Sequence, residues 1–180
     1  MTRLKIFLDA NFIDFVGLDL ISIDLVAGTD PLREFYVEIT DYDRSLCNDF
    51  VVANVMPHLG KVSGHAMLYD TAQGEVKEWL EQFHDANAVI CYDYLGDYML
   101  LQELLYQPWR VTEFARFPAW LSTANIYKHL DPRLLLKFWS DHAEYNQHHA
   151  LHDAKSNQNQ CRWKGRRRES RSSAGVAIAG

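Results

Sequence analysis

Hydrophobic and polar positions along the first 40 residues follow a pattern that predicts three strands. The first is an apolar run at residues 5–13, the second alternates over 20–26, and the third covers 34–39. Between the last two, the stretch Gly28-Thr29-Asp30-Pro31 has strong turn chemistry. Three successive strands with short links predict an antiparallel meander.

Beyond residue 45, apolar residues recur mainly at helical spacing. The exception is the apolar run at 88–92, which predicts a buried strand, and the helix after it indicates a crossover onto the same sheet. Residues 118–130 are ambiguous between strand and helix. The predicted helices cover residues 46–55, 71–83 with Asp70 as N-cap, 98–105, 132–139 with Asp131 as cap, and about 148–161.

The length of 180 residues suits one domain that can bury a core without disulfides or metal staples. The cysteines Cys47, Cys91 and Cys161 are far apart and odd in number, which argues against a disulfide framework and fits a reducing compartment. The chain has no run of about 18 apolar residues and no signal-peptide core at its N-terminus. We therefore expect a soluble cytoplasmic protein with no membrane partner.

The net charge of −6 conceals two oppositely charged parts. Residues 162–171 carry six basic residues and one acid, whereas positions 1–160 carry 12 basic and 23 acidic residues. An acidic body suits a protein that holds cations in a pocket and meets phosphates through them, rather than one that only coats nucleic acid. The basic tail, residues 161–180, is expected to be flexible. It either helps to capture a polynucleotide or, more commonly, is an incidental charged terminus.

A carboxylate, Asp9, stands in the middle of the first apolar run. A charge buried in a strand of this kind costs several kcal/mol unless something compensates it. The compensation is either a basic or hydrogen-bonding neighbour, which is the commoner case, or a metal ion shared with other acids.

Two further acids make the metal reading stronger. Asp97 begins a helix just past the buried strand, and Asp153 lies in the histidine-rich stretch 148–154. Residues at strand ends and adjoining helix starts meet at one edge of an α/β sheet. Mg²⁺ prefers such oxygen ligands, and two ions a few Å apart promote phosphodiester cleavage with a histidine as general base.

These motifs resemble those of the DEDDh 3′–5′ exonucleases of the ribonuclease H-like fold, and within them the small bacterial 3′–5′ exoribonuclease-like branch. The first family motif, Asp-x-Glu, matches at Asp9 but has Asn11 in place of the glutamate. The second, an aspartate that opens a helix after the fourth strand, matches at Asp97. The third, a histidine with an aspartate five residues on, matches His148 and Asp153 and is the most specific of the three.

The resemblance implies a set of metal ligands. Asp9 would bridge two Mg²⁺ or Mn²⁺ ions, Asp153 would bind the ion that activates water, and Asp97 would complete the acidic pocket. Asn11 would occupy the fourth ligand position.

The resemblance also implies a general base and a substrate contact. His148 would deprotonate the attacking water, and Phe12 and Ile13 would pack against the terminal nucleotide. Five residues along a helix span about 500°, so His148 and Asp153 share a face only if His148 precedes the first helical turn. His149, four residues before Asp153, is the reserve.

The implied fold is a ribonuclease H-like three-layer α/β domain over residues 1–160. It would have a mixed sheet of about five strands, the first strand central and helices on both faces. The implied activity is 3′–5′ exonucleolytic hydrolysis at single-stranded RNA or DNA 3′ ends, with RNA expected from the family branch. Relatives with this fold commonly dimerise, which makes a homodimer an open expectation.

The amide at Asn11 is the departure that matters for activity. Two divalent ions carry +4 and four carboxylates supply −4, but an amide in one position leaves −3. Asparagine offers one carbonyl oxygen without charge or bidentate binding, so a weakened nuclease is expected. Asp24 or Glu38, on neighbouring strands, are candidates for the missing charge.

Two alternative functions and one structural question stay open. The chain is either an enzyme or a catalytically silent member of the same fold that binds nucleic acid or nucleotides. A zinc site on His148, His152 and His142 is a third reading, although no further zinc ligand is evident. The tryptophans are expected to be core residues rather than stacking platforms for bases; they include Trp79, Trp109, Trp120 and Trp139.

Overall fold

The computed structural model describes residues 3–15, 18–106, 118 and 120–161. Within these residues the chain forms a six-stranded mixed sheet in the order β4-β3-β2-β1-β5-β6. The strands are β1 (Lys5–Phe12), β2 (Leu20–Ala27), β3 (Arg33–Ile39), β4 (Ala66–Met67), β5 (Val89–Tyr92) and β6 (Ser122–Asn125). The helices are α1 (Asp49–Asn54), α2 (Tyr69–Glu81), α3 (Leu95–Tyr106), α4 (Pro132–Asp141) and α5 (Ala150–Gln160).

The first three strands confirm the predicted antiparallel meander. β5 then pairs parallel with β1, and β6 pairs parallel with β5, so β1 lies inside the sheet with neighbours on both sides. The ambiguous segment 118–130 contains β6 and a short 3₁₀ turn.

The sheet has six strands, one more than the expected number of about five. The additional strand, β4, has two residues and pairs with the outer side of β3. Two residues are too few to produce an alternating pattern, so the sequence carries no signal for it.

Helix caps followed the sequence rules at one position and departed from them at another. Asp131 caps α4 as predicted, since its carboxylate accepts a hydrogen bond from the backbone N–H of Arg133 at 3.0 Å. The N-cap of α2 is Leu68, and the predicted cap Asp70 lies in the first turn instead. There its charge still suits the positive end of the helix dipole.

The helices cover both faces of the sheet, which makes three layers. One face packs on α2 and α3 through Ile6 and Leu8 of β1, both fully buried. The opposite face carries Phe7, which packs against Val26 and against Ala154 of α5. Because side chains alternate along a strand, Asp9 and Asn11 follow Phe7 on the α5 face.

Trp79 lies in the core formed with α2, as expected. Trp120 packs against the same core and is partly exposed, whereas Trp109 lies outside the described residues. The basic tail from residue 162 also lies outside the described residues. Cys161, just before it, pairs with Leu130 through an isolated antiparallel backbone β-bridge. Over the ranges that the structure describes, no helix has the length and apolar character needed to span a membrane.

Candidate metal centre

A cleft of about 320 Å³ opens where β1 and β5 end and α3 and α5 begin. Its walls combine carboxylates with aromatic side chains. The lining residues are Asp9, Ala10, Asn11, Phe12, Phe15, Asn48, Phe50, Val51, Val55, Asp93, Tyr94, Asp97, His148 and Asp153.

The parallel pairing of β1 with β5 brings Asp9 close to a second aspartate, Asp93. Phe7 of β1 is paired in parallel with Cys91 of β5, and each strand places an aspartate two residues further along. Because residues two apart share a face, both carboxylates follow their strands to the same corner of the sheet. Asp9, Asp93 and Asp97 each offer an oxygen, and these atoms all lie within 4.8 Å of one another.

Asp97 and Asp153 reach the cleft from the first turns of their helices. Asp97 is buried and accepts hydrogen bonds from the backbone of Ala10 and Tyr94. Asp153 accepts one from the backbone of His148. The cleft therefore collects four carboxylates: the three predicted ones and Asp93.

The four carboxylates suppress one another's ionisation. Burial is the largest cause that raises the pKa of Asp9 well above its ordinary value, and the charges of Asp153, Asp97 and Asp93 add to it. Burial likewise raises the pKa of Asp97, Asp93 and Asp153, the last to about 7. Bound cations would relieve both the desolvation and the repulsion, so this donor set fits divalent metal ions.

Asp93 is the site residue that sequence reasoning missed. The available signal was its place directly after the strand at 88–92, at the same sheet edge as Asp9. Its carboxylate also accepts a hydrogen bond from Asn157 Nδ2 of α5 at 3.1 Å. Burial raises the pKa of Asp93, whereas this hydrogen bond and two hydrogen bonds from the backbone lower that pKa.

The structure places His148 in the cleft and His149 outside it. His148 precedes the helix, has the left-handed backbone angle φ of 65°, and meets the ring of Phe50 edge-on at 5.1 Å between centroids. His149 is the N-cap of α5 and is buried between Tyr36 and His152, with ring centroids at 4.9 and 4.4 Å. The loop position satisfies the geometric condition stated above for His148.

Phe12 lines the cleft, but Ile13 is not among the described residues that form its wall. Ile13 is 3% exposed and packs with Ile21, Val51 and Val55. The chain bends after β1, and the backbone N–H of Ile13 donates to the carbonyl of Asp19, which turns the side chain into this small core.

Three aromatic rings form a rim at the mouth of the cleft, which we call the aromatic rim: Phe12, Phe15 and Tyr94. Phe12 stacks on Tyr94 with centroids 5.9 Å apart, and Phe15 meets both rings edge-on. Phe15 is 66% exposed and Tyr94 43%. A Cβ at Gly96 would collide with the ring of Tyr94, so glycine is needed there for the ring to hold this position.

Neither Asp24 nor Glu38 supplies a charge to the cleft wall, as far as the described residues show. Asp24 lies opposite Asp9 across β1 and β2 but is fully buried. Glu38 is held by Tyr36 Oη at 2.8 Å and by the backbone N–H of Gly60 at 2.7 Å. The carboxylate that joins the cleft is that of Asp93 instead.

The histidines of the zinc hypothesis do not converge. His148 faces the cleft, whereas Nδ1 of His152 accepts a hydrogen bond from the backbone N–H of Asn146 at 2.9 Å. His142 stacks on Phe138 within the α4 region. In the part of the chain that the structure describes, the group of side chains suited to sharing a metal consists of aspartates.

Scanning the chain against protein-family models and searching the curated proteins both returned no match.

Proposed function

We propose that this chain is a metal-dependent 3′–5′ exonuclease of the ribonuclease H-like fold, acting on single-stranded RNA or DNA 3′ ends. The observation that carries the proposal is the convergence of four carboxylates in one cleft beside a loop histidine. Two Mg²⁺ or Mn²⁺ ions held by these carboxylates would neutralise the attacking and leaving oxygens of a phosphodiester.

The sheet topology supports the fold assignment. An antiparallel meander is followed by two strands that join the other side of β1 in parallel, with helices on both faces. This is the arrangement expected of the ribonuclease H-like class, with β4 as an additional edge strand.

Charge balance favours an enzyme over a silent binder. Asn11 removes one carboxylate from the family pattern, but Asp93 brings the number in the cleft back to four. Two divalent ions are then matched by four negative charges. Asn11 can still contribute a neutral carbonyl oxygen beside them.

His148 is placed to act as the general base. Its ring lies at the cleft wall, and its backbone is anchored to the Asp153 carboxylate. A ring nitrogen of His148 would take the proton from the attacking water. The imidazole also contacts the ring of Phe50 edge-on.

The aromatic rim suits a single-stranded substrate. Unpaired bases stack on exposed rings, and each stacked base contributes about 1–3 kcal/mol. A duplex end keeps its bases paired and cannot offer their faces to Phe15 and Tyr94. The rim carries no group that distinguishes RNA from DNA through the 2′-hydroxyl, so the preference for RNA rests on the family resemblance.

The direct test follows 5′-labelled single-stranded RNA and DNA of the same sequence with Mg²⁺ and then Mn²⁺. We expect a ladder that shortens from the 3′ end. Asn11→Glu is the informative comparison, because it adds a fifth carboxylate to a site that already has four. We expect it to change activity by less than about tenfold.

Two outcomes would redirect the proposal. Cleavage by Asn11→Glu but none by the native chain would mean that the native protein is a binder of nucleic-acid ends. Cleavage by neither, with metal present at saturating concentration, would overturn the nuclease assignment.

Removal of the aromatic rim is expected to weaken binding of single strands. The double variant Phe15→Ala with Tyr94→Ala should raise the Kd of a labelled oligonucleotide by about tenfold or more, since it removes two stacking surfaces. Fluorescence anisotropy in Ca²⁺ would measure this without turnover. Tyr127→Ala is the control, because Tyr127 is about as exposed as Phe15 and is not among the described residues of the cleft wall. Equal losses in both variants would contradict the role of the rim.

A further inference from the structure

Polar side chains form two rows across β1, β2 and β3, under α5. Strand register pairs Asn11 with Ser22 and Ser22 with Glu38. The neighbouring row pairs Asp9 with Asp24 and Asp24 with Tyr36. Members of both rows are two residues apart along each strand, so all six side chains lie on one face of the sheet.

Hydrogen bonds connect four of these side chains in series, and each side chain donates to the next one. Asn11 Nδ2 donates to Ser22 Oγ at 3.1 Å. The Ser22 hydroxyl is hydrogen-bonded to the Tyr36 hydroxyl, and Tyr36 Oη donates to Glu38 Oε1 at 2.8 Å. Ser22, Tyr36 and Glu38 are all buried.

A backbone N–H group binds Glu38, the last side chain in this series of hydrogen bonds. Gly60 donates its N–H to Glu38 Oε2 at 2.7 Å, so each oxygen of the Glu38 carboxylate accepts one hydrogen bond. Gly60 has a φ of 74°, a conformation that favours glycine. This loop thus holds Glu38 as a fixed acceptor.

The donor-to-acceptor direction of these hydrogen bonds determines how the amide of Asn11 is oriented. Since Tyr36 gives its proton to Glu38, the proton of the Ser22 hydroxyl goes to Tyr36, and Ser22 Oγ is left as an acceptor. Only the NH₂ end of the Asn11 amide can satisfy that acceptor. The carbonyl end is therefore turned away from Ser22 and is available to the cleft that Asn11 lines.

We propose that Ser22, Tyr36 and Glu38 are positioning residues that hold Asn11 as a neutral carbonyl ligand of the metal centre. The proposal rests on the proposed function. A carboxylate presents an oxygen in either orientation and needs no such support. An amide presents an oxygen in one orientation and an N–H donor in the other, which a cation repels. A hydrogen-bonded chain that fixes the amide is therefore expected where asparagine serves as a ligand.

The test measures Mg²⁺ and Mn²⁺ affinity by calorimetry on the full chain. Ser22→Ala and Tyr36→Phe are each expected to weaken metal binding by about tenfold, because they release the amide. In an Asn11→Ala background the same substitutions are expected to cause no further loss. The matched controls are Ser122→Ala, whose hydroxyl bonds to the Ala88 carbonyl in another part of the sheet, and Tyr127→Phe.

A second readout observes the amide directly. The side-chain NH₂ resonances of Asn11 in a ¹⁵N-labelled sample are expected to shift in both Ser22→Ala and Tyr36→Phe, with no metal present. An unmoved signal in Ser22→Ala would overturn the proposal whatever the metal result.

The calorimetry separates the two levels of inference. A native chain that binds neither ion overturns the proposed function, and the ligand role of Asn11 with it. A native chain that binds metal while the single variants bind equally well overturns only the positioning role. An equal loss in the native and Asn11→Ala backgrounds also overturns it, because the residues would then act on the fold rather than through Asn11.

Discussion

Replacement of Asp9 with asparagine is expected to reduce kcat/KM on a single-stranded oligonucleotide by about 10³-fold or more. Asp9 lies within reach of Asp93 and Asp97, and the charge of Asp153 affects its pKa more than any other neighbouring charge does. A side chain at the centre of the donor set contributes to every cation bound there. Its loss should lower metal affinity and turnover together.

Asp93→Asn provides the sharper test of the same site. The sequence resemblance assigns Asp93 no role, whereas the structure places a carboxylate oxygen of Asp93 within 4.8 Å of those of Asp9 and Asp97. We expect its effect on Mg²⁺ affinity to be comparable with that of Asp97→Asn, about tenfold or greater. Asp85→Asn, at a fully exposed aspartate, is the control for the change of one charge. An Asp93→Asn variant that behaves like Asp85→Asn would remove Asp93 from the metal centre.

Without divalent ions, the acidic groups of the cleft are expected to contribute less and less to stability as the pH rises from 5 to 8. The folded state raises the pKa of Asp9, Asp97 and Asp153, so it retains protons that the unfolded chain has released. The stabilising contribution of the protonated groups is complete below their ordinary pKa of 3.8 and is lost as the pH passes the folded value, about 7 for Asp153. A fall in Tm of about 5–10 °C corresponds to a few kcal/mol in a chain of this size.

Mg²⁺ should reverse this loss, with a larger effect at pH 8 than at pH 5. At pH 5 protons bound to carboxylates with raised pKa values, such as Asp153, compete with the ion, whereas at pH 8 the ion relieves the repulsion. Thermal unfolding in chelator and in Mg²⁺ at both pH values measures the difference. The Asp9→Asn variant should show a flatter pH dependence in chelator. An Asp9→Asn variant whose Tm depends on pH in chelator in the same way as that of the native chain would contradict the assigned electrostatics.

The raised pKa values also predict a conflict between stability and function. Asp24 is fully buried, and neither of its carboxylate oxygens has a hydrogen-bond partner within the described part of the chain. Burial is the first cause that raises its pKa, and Glu34 raises it further while Lys155 lowers it. Together with Asp9 it forms a pair of acids directly across two strands, which costs folding free energy when both are ionised. At Asp9, which lines the cleft, such a cost would be expected of a site that binds a cation, whereas Asp24 is not among the described residues of the cleft wall.

Local sequence determined the strands β1, β2, β3 and β5, the main helices and most of the acids of the site. The meander 5–39 was readable because its apolar runs and turn residues are local signals, and Asp131 was recognisable as a cap for the same reason. Asp9 and Asp97 stood out because a carboxylate inside an apolar strand or shortly after one requires an explanation, whereas Asp153 stood out by its place in the histidine-rich stretch 148–154. The two-residue β4 had no such signal.

Tertiary structure alone decided which side chains meet. Asp93 joined Asp9 because β1 and β5 pair in parallel with Phe7 opposite Cys91, a register that no local pattern encodes. The same holds for the hydrogen-bonded chain from Asn11 to Glu38, which runs across three strands rather than along one. Side chains along a strand are ordered by the sequence, but side chains across a sheet are brought together by pairing and packing, which depend on the whole core.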